Sequence, residues 1–193
     1  QMGVDSARAR AAAERTGDPR FSSVALDASD RGAVRACIEA SGCDAVLNAA
    51  DPRFVMPVFG GAFDAGVTYL DMAMSLSRPH PDQPHELTGV KLGDEQMAQA
   101  EAWEERGLLA LVGMGVEPGL SDVFARHAAD ELFSEIDEVG VRDGANLVVE
   151  GYDFAPTFSI WTTIEECLNP PVIYERDGGW FIFDDSTAPE IFT

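Results

Sequence analysis

The chain is short of cysteine and of basic residues, and it has no long hydrophobic run. Its three cysteines, Cys37, Cys43 and Cys167, lack CxxC spacing, so neither a disulfide framework nor a zinc site is expected, and a reducing cytoplasm is predicted. No apolar stretch reaches the roughly 18 residues that a spanning helix needs, and residues 1–20 do not have the pattern of a signal peptide. The excess of 34 Asp and Glu over 13 Lys and Arg gives a net charge of −21, which argues against nucleic acid or a membrane surface as a partner.

The signatures of several enzyme classes are also missing. There is no GxSxG nucleophile motif, and nothing matches GxGxxG after a strand, because Gly60 and Gly61 lie inside a predicted helix. His80 and His85 lie in a proline-rich loop with Asp82, and a metal-dependent enzyme that uses them is conceivable. Their spacing matches no metal signature, so no metal is predicted.

The chain has enough apolar sequence for a core, arranged as alternating strands and helices. Hydrophobic residues make up 46% and charged residues 24%, which is typical of a globular protein. The patterns predict strands over 21–26, 45–47, 67–70 and 108–112, and helices over 5–15, 31–40, 57–65 and 94–106. This alternation indicates βαβ units and therefore a parallel, doubly wound α/β sheet.

Four further segments complete the organisation. Residues 75–93 contain several prolines and little periodicity, so we predict a long loop there, and long loops are often functional. A helix is predicted over 120–132, a strand over 136–142, and a hairpin over 174–183 with its turn at Asp177-Gly178-Gly179. We predict two domains, over residues 1–115 and 116–193.

Polar or small residues follow three of the predicted strands. They are Asp27 after the first strand, Asn48, Ala49 and Ala50 after the second, and Asp71 after the third. Each alone is typical of a solvated turn. Because parallel strands end at one edge of the sheet, where such folds bind ligands, the three together favour a binding site.

The turn at 113–122 (GMGVEPGLSD) joins the last predicted strand of the first domain to a helix. Its glycines allow tight backbone turns, and Pro118 is predicted to start the helix. Glu117 would then lie near the positive end of the helix dipole, where a carboxylate can act as an acid or base, hold a substrate ammonium group, or simply cap the helix.

Four segments together resemble one known family. They are 44–49 (DAVLNA), 66–73 (GVTYLDMA), 113–122 (GMGVEPGLSD) and 158–171 (FSIWTTIEECLNPP), in this order. The chain is similar to the saccharopine dehydrogenase family, which includes lysine 6-dehydrogenases and carboxynorspermidine dehydrogenases. The G-x-(D/E)-P-G turn and the FSxW segment are the most specific parts of the likeness.

The resemblance implies a Rossmann domain that binds NAD or NADP, followed by an α/β substrate domain with a mixed sheet. It implies a cytoplasmic oxidoreductase of amino-acid metabolism, for lysine or a related amine, that transfers hydride at a CH–NH or CH–NH2 bond. The cofactor would contact Asp27, Asn48, Ala49, Ala50 and Asp71. Catalytic roles would fall to Glu117 and Asp143, and substrate contacts to Met74, Ser75, Gly115, Pro118 and Trp161.

The chain also departs from the family pattern. The expected first strand and its glycine-rich phosphate loop are missing, and relatives are about twice as long, so we expect an incomplete Rossmann domain and part of a substrate domain. Such a fragment is expected to have negligible cofactor affinity alone. A homodimer is expected for the enzyme, and a non-catalytic Rossmann-like scaffold or interaction domain is the alternative.

Overall fold

The computed structural model describes residues 6–141, 148–152, 164, 168, 170–175 and 177–183. Its helices are α1 (Ser6–Thr16), α2 (Arg31–Ser41), α3 (Val55–Ala65), α4 (Asp94–Met97), α5 (Ala100–Glu105) and α6 (Leu120–His127). Its strands are β1 (Ala45–Asn48), β2 (Thr68–Asp71), β3 (Ala110–Leu111), β4 (Val172–Glu175) and β5 (Gly179–Ile182). A 3-10 turn over Pro52–Phe54 precedes α3, and a π-helical turn over Ala128–Leu132 follows α6.

The chain divides into two units. The first comprises Gln1–Leu76 and Leu92–Arg126, and the second comprises Ser77–Lys91 and His127–Thr193. The predicted loop over 75–93 therefore leaves the first unit and returns to it. Within the described part of the chain, no helix is long and apolar enough to cross a bilayer.

The first unit is built on a parallel sheet in the order β1-β2-β3. Asn48 lies opposite Asp71 in the register of β1 with β2, and Tyr69 lies opposite Ala110 in that of β2 with β3. This confirms the prediction of a parallel α/β sheet. Both crossovers run in the same direction, and because such connections are right-handed, they place α3 and the α4–α5 pair on one face.

The hydrophobic core lies under that covered face. Phe59 of α3 contacts Tyr69 edge-on at 5.1 Å and Trp103 of α5 at 4.8 Å between ring centroids. Val34 and Ile38 of α2 complete the buried cluster with Val58 and Ala62 of α3. Cys37, which lies between these two residues of α2, is only half-buried.

The opposite face of the sheet differs from the prediction. A continuous apolar strand over 45–47 predicts cover on both faces, yet Leu47 is 64% exposed and Leu111 is 38% exposed. The prediction was wrong for the described residues because consecutive crossovers in one direction bring helices to a single face.

The ends of α2 follow the sequence signals. The Asp30 carboxylate accepts hydrogen bonds from the backbone N–H groups of Gly32 and Ala33, and Gly42 ends the helix with φ +63°. Gly60 and Gly61 lie in α3, as predicted, and let it approach α2 closely. A Cβ on Gly61 would lie 2.6 Å from Val34, so an alanine there would push the two helices apart.

Several predicted elements do not form. Residues 21–26 are irregular rather than a strand, with Val24 65% exposed, because no described strand pairs with them. Residues 136–141 also form no strand, so alternation alone was misleading there. The helix predicted over 94–106 is interrupted between α4 and α5, and α6 begins at Leu120, two residues after Pro118.

The described part of the second unit contains the predicted hairpin. Strands β4 and β5 pair antiparallel, with Tyr174 opposite Trp180 and their rings 5.0 Å apart. Arg78 and Val90 pair through two backbone hydrogen bonds of 2.8 and 2.9 Å, which closes the loop of residues 77–91.

Candidate functional site

The carboxyl ends of the three parallel strands meet at one edge, which we call the rim. Asn48 ends β1 and Asp71 ends β2. Gly113 comes two residues after Leu111, the last residue of β3. Asn48 and Asp71 are only 6% and 0% exposed, so their side chains point into the covered face rather than to solvent. Two of the three predicted strand ends, those at Asn48 and Asp71, lie side by side at this edge, whereas Asp27 follows no strand. The buried side chains of Asn48 and Asp71 are joined through hydrogen bonds to Tyr69.

Asp71 is the centre of this arrangement. Its Oδ1 accepts a hydrogen bond of 2.7 Å from the Gly113 N–H, and its Oδ2 accepts from Gln96 Nε2 at 2.7 Å and from the Tyr69 hydroxyl at 3.0 Å. Its carbonyl oxygen accepts from the Met114 N–H at 2.8 Å. Since the carboxylate has no exposed surface, a direct side-chain contact with a cofactor, as predicted for Asp71, is absent from this conformation.

Tyr69 carries the network to β1. The Asn48 side-chain amide donates to the Tyr69 hydroxyl at 3.2 Å, while Asn48 Oδ1 accepts from the Ala50 N–H at 3.1 Å. Burial raises the pKa of Tyr69 far above its ordinary value, and the neighbouring Asp71 carboxylate adds to this rise. Tyr69 therefore stays a neutral donor at physiological pH.

The loop after β2 packs against the turn after β3. Gly113 has φ +68°, and a Cβ there would lie 3.1 Å from Met74 Cγ. A Cβ on Gly115 would clash with the Met72 carbonyl oxygen, and Gly119, with φ +132°, is bridged to Gly115. These close approaches explain why the turn needs its glycines.

Glu117 lies in this turn and is exposed to solvent. No hydrogen bond or ion pair to another described residue engages its carboxylate. The helix is capped instead by Asp122, whose carboxylate accepts from the Gly119 N–H at 2.9 Å. Within the part of the chain that the structure describes, Glu117 therefore does not cap the helix.

Other predicted contact residues lie in different settings. Ala49 and Ala50 are exposed beyond Asn48, where they leave the backbone open. Asp27 is exposed, and the Ser29 hydroxyl and N–H donate to it at 2.6 and 3.0 Å, which lowers its pKa. Asp27 therefore lies in a local turn rather than at a strand end.

Two of the predicted site residues, Asp143 and Trp161, lie outside the described residues. His80 Nδ1 accepts a backbone hydrogen bond of 3.2 Å from the Gln83 N–H. No group of three metal-ligating side chains occurs among the described residues.

Two residues of the network escaped the sequence reasoning. Tyr69 had a usable signal, because in the strand it shares a face with Asp71, two residues away. Gln96 had none, since a glutamine in an acidic helix is usually solvated. Only the fold shows that it is 3% exposed and bonded to Asp71.

Comparison with known proteins supports the family resemblance. The model of the saccharopine dehydrogenase NADP binding domain matches residues 2–111. Carboxynorspermidine synthase of Vibrio alginolyticus is 32% identical over 158 residues, which are 81% of this chain and 36% of that protein. Carboxyaminopropylagmatine dehydrogenase of Synechocystis sp. is 29% identical over 164 residues, which are 85% of this chain and 39% of that protein.

A solved structure is also similar. Apo saccharopine dehydrogenase (L-Glu forming) of Saccharomyces cerevisiae aligns with a TM-score of 0.48 at 18% identity, over 67% of this chain and 24% of that one. The chain spans between a third and two fifths of the length of the curated relatives above. The prediction of a nicotinamide cofactor, NAD or NADP, is confirmed by the family match. The chain belongs to the saccharopine dehydrogenase family, and the part that matches is the family's NADP-binding domain.

Proposed function

We propose that this chain is the nucleotide-binding part of an NAD(P)-dependent oxidoreductase that acts at a C–N bond of a carboxylated amine. The observation that carries the proposal is the match of residues 2–111 to an NADP-binding domain. The names of the relatives, carboxynorspermidine synthase and carboxyaminopropylagmatine dehydrogenase, support a substrate with both amino groups and a carboxylate. The bound nicotinamide would supply the hydride-accepting or hydride-donating carbon.

The rim suits a dinucleotide in one respect. Ala49 and Ala50 are small and exposed, so a ligand can approach the backbone after β1. Asn48 holds this segment through its bond to the Ala50 N–H. We propose that the cofactor lies along this edge, with Asp71 shaping the rim from beneath. Asp27 remains a proposed contact for the adenosine part.

Glu117 is the proposed acid/base or ammonium-binding group. In oxidation of a substrate amine, a bound nicotinamide would take the hydride from carbon, and the Glu117 carboxylate would accept the proton that the nitrogen gives up. Synthesis in the reverse direction returns both. Gly115 and Pro118 lie in the turn, and Met74 lies against it at Gly113. Met74, its neighbour Ser75, Gly115, Pro118, Asp143 and Trp161 remain proposed site residues.

The test compares two proteins, the full-length product of the gene and the 193-residue chain. Both are titrated with NADPH and NADH, and then assayed with NAD(P)+ on carboxynorspermidine, carboxyaminopropylagmatine, saccharopine and lysine, scored by reduced-nicotinamide absorbance. We expect turnover of a carboxylated amine by the full-length product and negligible binding by the chain alone. No binding of either nucleotide by the full-length product would contradict the proposal and favour a scaffold.

The role of Glu117 is tested by Glu117→Gln, with Glu101→Gln at an exposed position of α5 as the matched control. Loss of an acid/base group is expected to lower kcat by about a hundredfold or more and to remove one limb of the pH profile. Loss of an ammonium contact would instead raise KM. Unchanged kinetics at every pH would remove Glu117 from the mechanism.

A further inference from the structure

Gln96 is a buried side chain with both ends of its amide in use. It is 3% exposed, its Oε1 accepts a hydrogen bond of 2.8 Å from the Ser75 N–H, and its Nε2 donates to Asp71 Oδ2 at 2.7 Å. One acceptor and one donor are therefore both required at this position. Glutamate lacks the donor and methionine lacks both.

Ser75 is held from a second direction. Its carbonyl oxygen accepts a hydrogen bond of 2.9 Å from the Gly93 N–H, so both of its backbone groups are bonded to the segment 93–96. Gly93 has φ +84°, and a Cβ there would press on the methyl end of Met74. The segment 93–96 therefore lies close to residues 74 and 75.

Asp71 links the same glutamine to the strands. Asp71 ends β2 and accepts from the Gly113 N–H after β3, so Gln96 joins the ends of two strands to the loop that follows one of them. The loop 72–75 forms part of the rim, and Met72 within it is 48% exposed. A shift of Gln96 would therefore move Ser75 and the carboxylate of Asp71 together.

We propose that Gln96 is a positioning residue that sets the geometry of the loop 72–75 for cofactor binding at the rim. It acts through Ser75 and Asp71 and does not itself contact the ligand. The proposal rests on the proposed function, because it takes the rim to be the nucleotide site. It goes beyond that function by assigning a role to a residue in α4 that lies outside the strand ends.

The informative variant is Gln96→Glu, which keeps the shape and the acceptor for Ser75. Its second oxygen would lie beside Asp71 Oδ2 in place of the donor, and two ionised carboxylates at that distance repel each other. One shared proton restores the bond, so the defect should be present at high pH and relieved at low pH. The titratable groups facing this position are Asp71 and, through it, Tyr69; Asp94 and Glu95 adjoin it in α4.

The measurement is the Kd for NADP+, obtained by calorimetry on the full-length product at a series of pH values. The temperature is kept below the melting temperature of the protein at each pH. The ratio of the variant Kd to the wild-type Kd is expected to be roughly tenfold or more at about pH 8 and to fall toward one near pH 5. Gln99→Glu makes the same charge change three residues away and should give a ratio near one throughout. A ratio that is independent of pH, or matched by Gln99→Glu, would overturn the proposal.

A second measurement does not depend on nucleotide. In the chain as printed, Gln96→Met should speed amide exchange of Ser75 by roughly tenfold or more, while the amide of Tyr69, bonded to the Leu109 carbonyl, stays protected. Unchanged exchange at Ser75 would show that Gln96 does not hold the loop. If the wild-type protein binds neither NADP+ nor NAD+, the proposed function fails and the positioning role at a nucleotide site fails with it. If wild type binds nucleotide and the variant matches it, only the role of Gln96 fails.

Discussion

Replacing Asp71 with asparagine tests the centre of the rim network. The wild-type carboxylate accepts from three donors, Gly113 N–H, Gln96 Nε2 and the Tyr69 hydroxyl, at 2.7 to 3.0 Å. Asparagine has one acceptor oxygen, and its other end is a donor. The orientation that keeps the bonds to Oδ2 turns an NH2 group toward the Gly113 N–H and leaves that donor unpaired.

The expected loss of stability follows from these contacts. A hydrogen bond to a charged group contributes about 1.5–3 kcal/mol, and an unpaired buried donor costs a similar amount. Removal of a buried charge offsets part of this loss, because a neutral asparagine costs less free energy to desolvate than an ionised aspartate. We therefore expect Asp71→Asn to lower the free energy of unfolding by about 2 kcal/mol.

Urea unfolding followed by far-UV circular dichroism measures this change, since helices α1 to α5 lie in the same unit as Asp71. With a slope of about 2 kcal/mol per molar urea, the midpoint should fall by about 1 M. Asp64→Asn is the control. Its carboxylate pairs with Arg31 at 2.7 Å, but both side chains are partly exposed, so the loss should stay below about 1 kcal/mol. An Asp71→Asn midpoint equal to that of wild type or of Asp64→Asn would refute the reasoning.

Three further outcomes are expected. The pKa of Tyr69 is raised in the folded state, so its contribution to the free energy of unfolding is complete below the unfolded pKa of about 10. Above that pH the contribution is lost by up to about 1.4 kcal/mol per pH unit. The urea midpoint of Tyr69→Phe should therefore decline less steeply than that of wild type in this range, and an equal decline would contradict the assignment. Gly115→Ala should cost about 2 kcal/mol or more through its clash with Met72, whereas Gly107→Ala, with φ +64° and open space, should cost only about 1 kcal/mol of backbone strain; equal midpoint shifts would argue against the close approach. The Ser75 hydroxyl is buried without a described partner, so Ser75→Ala should leave thermal stability unchanged or raised; a marked loss would reveal a bond to that oxygen.

The sequence predicted the first unit well where local signals are strong. Asp30 and Gly42 bound α2, Gly66 ends α3, and the paired strands β1 and β2 lie within a residue of their predicted positions. These features depend on caps and on apolar runs, which act over a few residues. The segment 21–26 has the same apolar character but forms no strand, because a strand also requires a hydrogen-bonded neighbour.

The site divides in the same way. The strand-end residues Asn48 and Asp71 could be selected from sequence because parallel strands end at one edge. Their burial could not be predicted, because it depends on which face the helices cover and on side chains far along the chain, such as Gln96.

By itself, the sequence determined the alternation of helices and strands, the acidic surface and the motifs that identify the family. Only the tertiary structure decided that Asp71 is a buried acceptor and that Glu117 is an exposed carboxylate with no bonding partner among the described residues. The physical reason is the range of the interactions. Caps and periodicity act between near neighbours in the chain, whereas burial and hydrogen-bond partners depend on residues that only folding brings together.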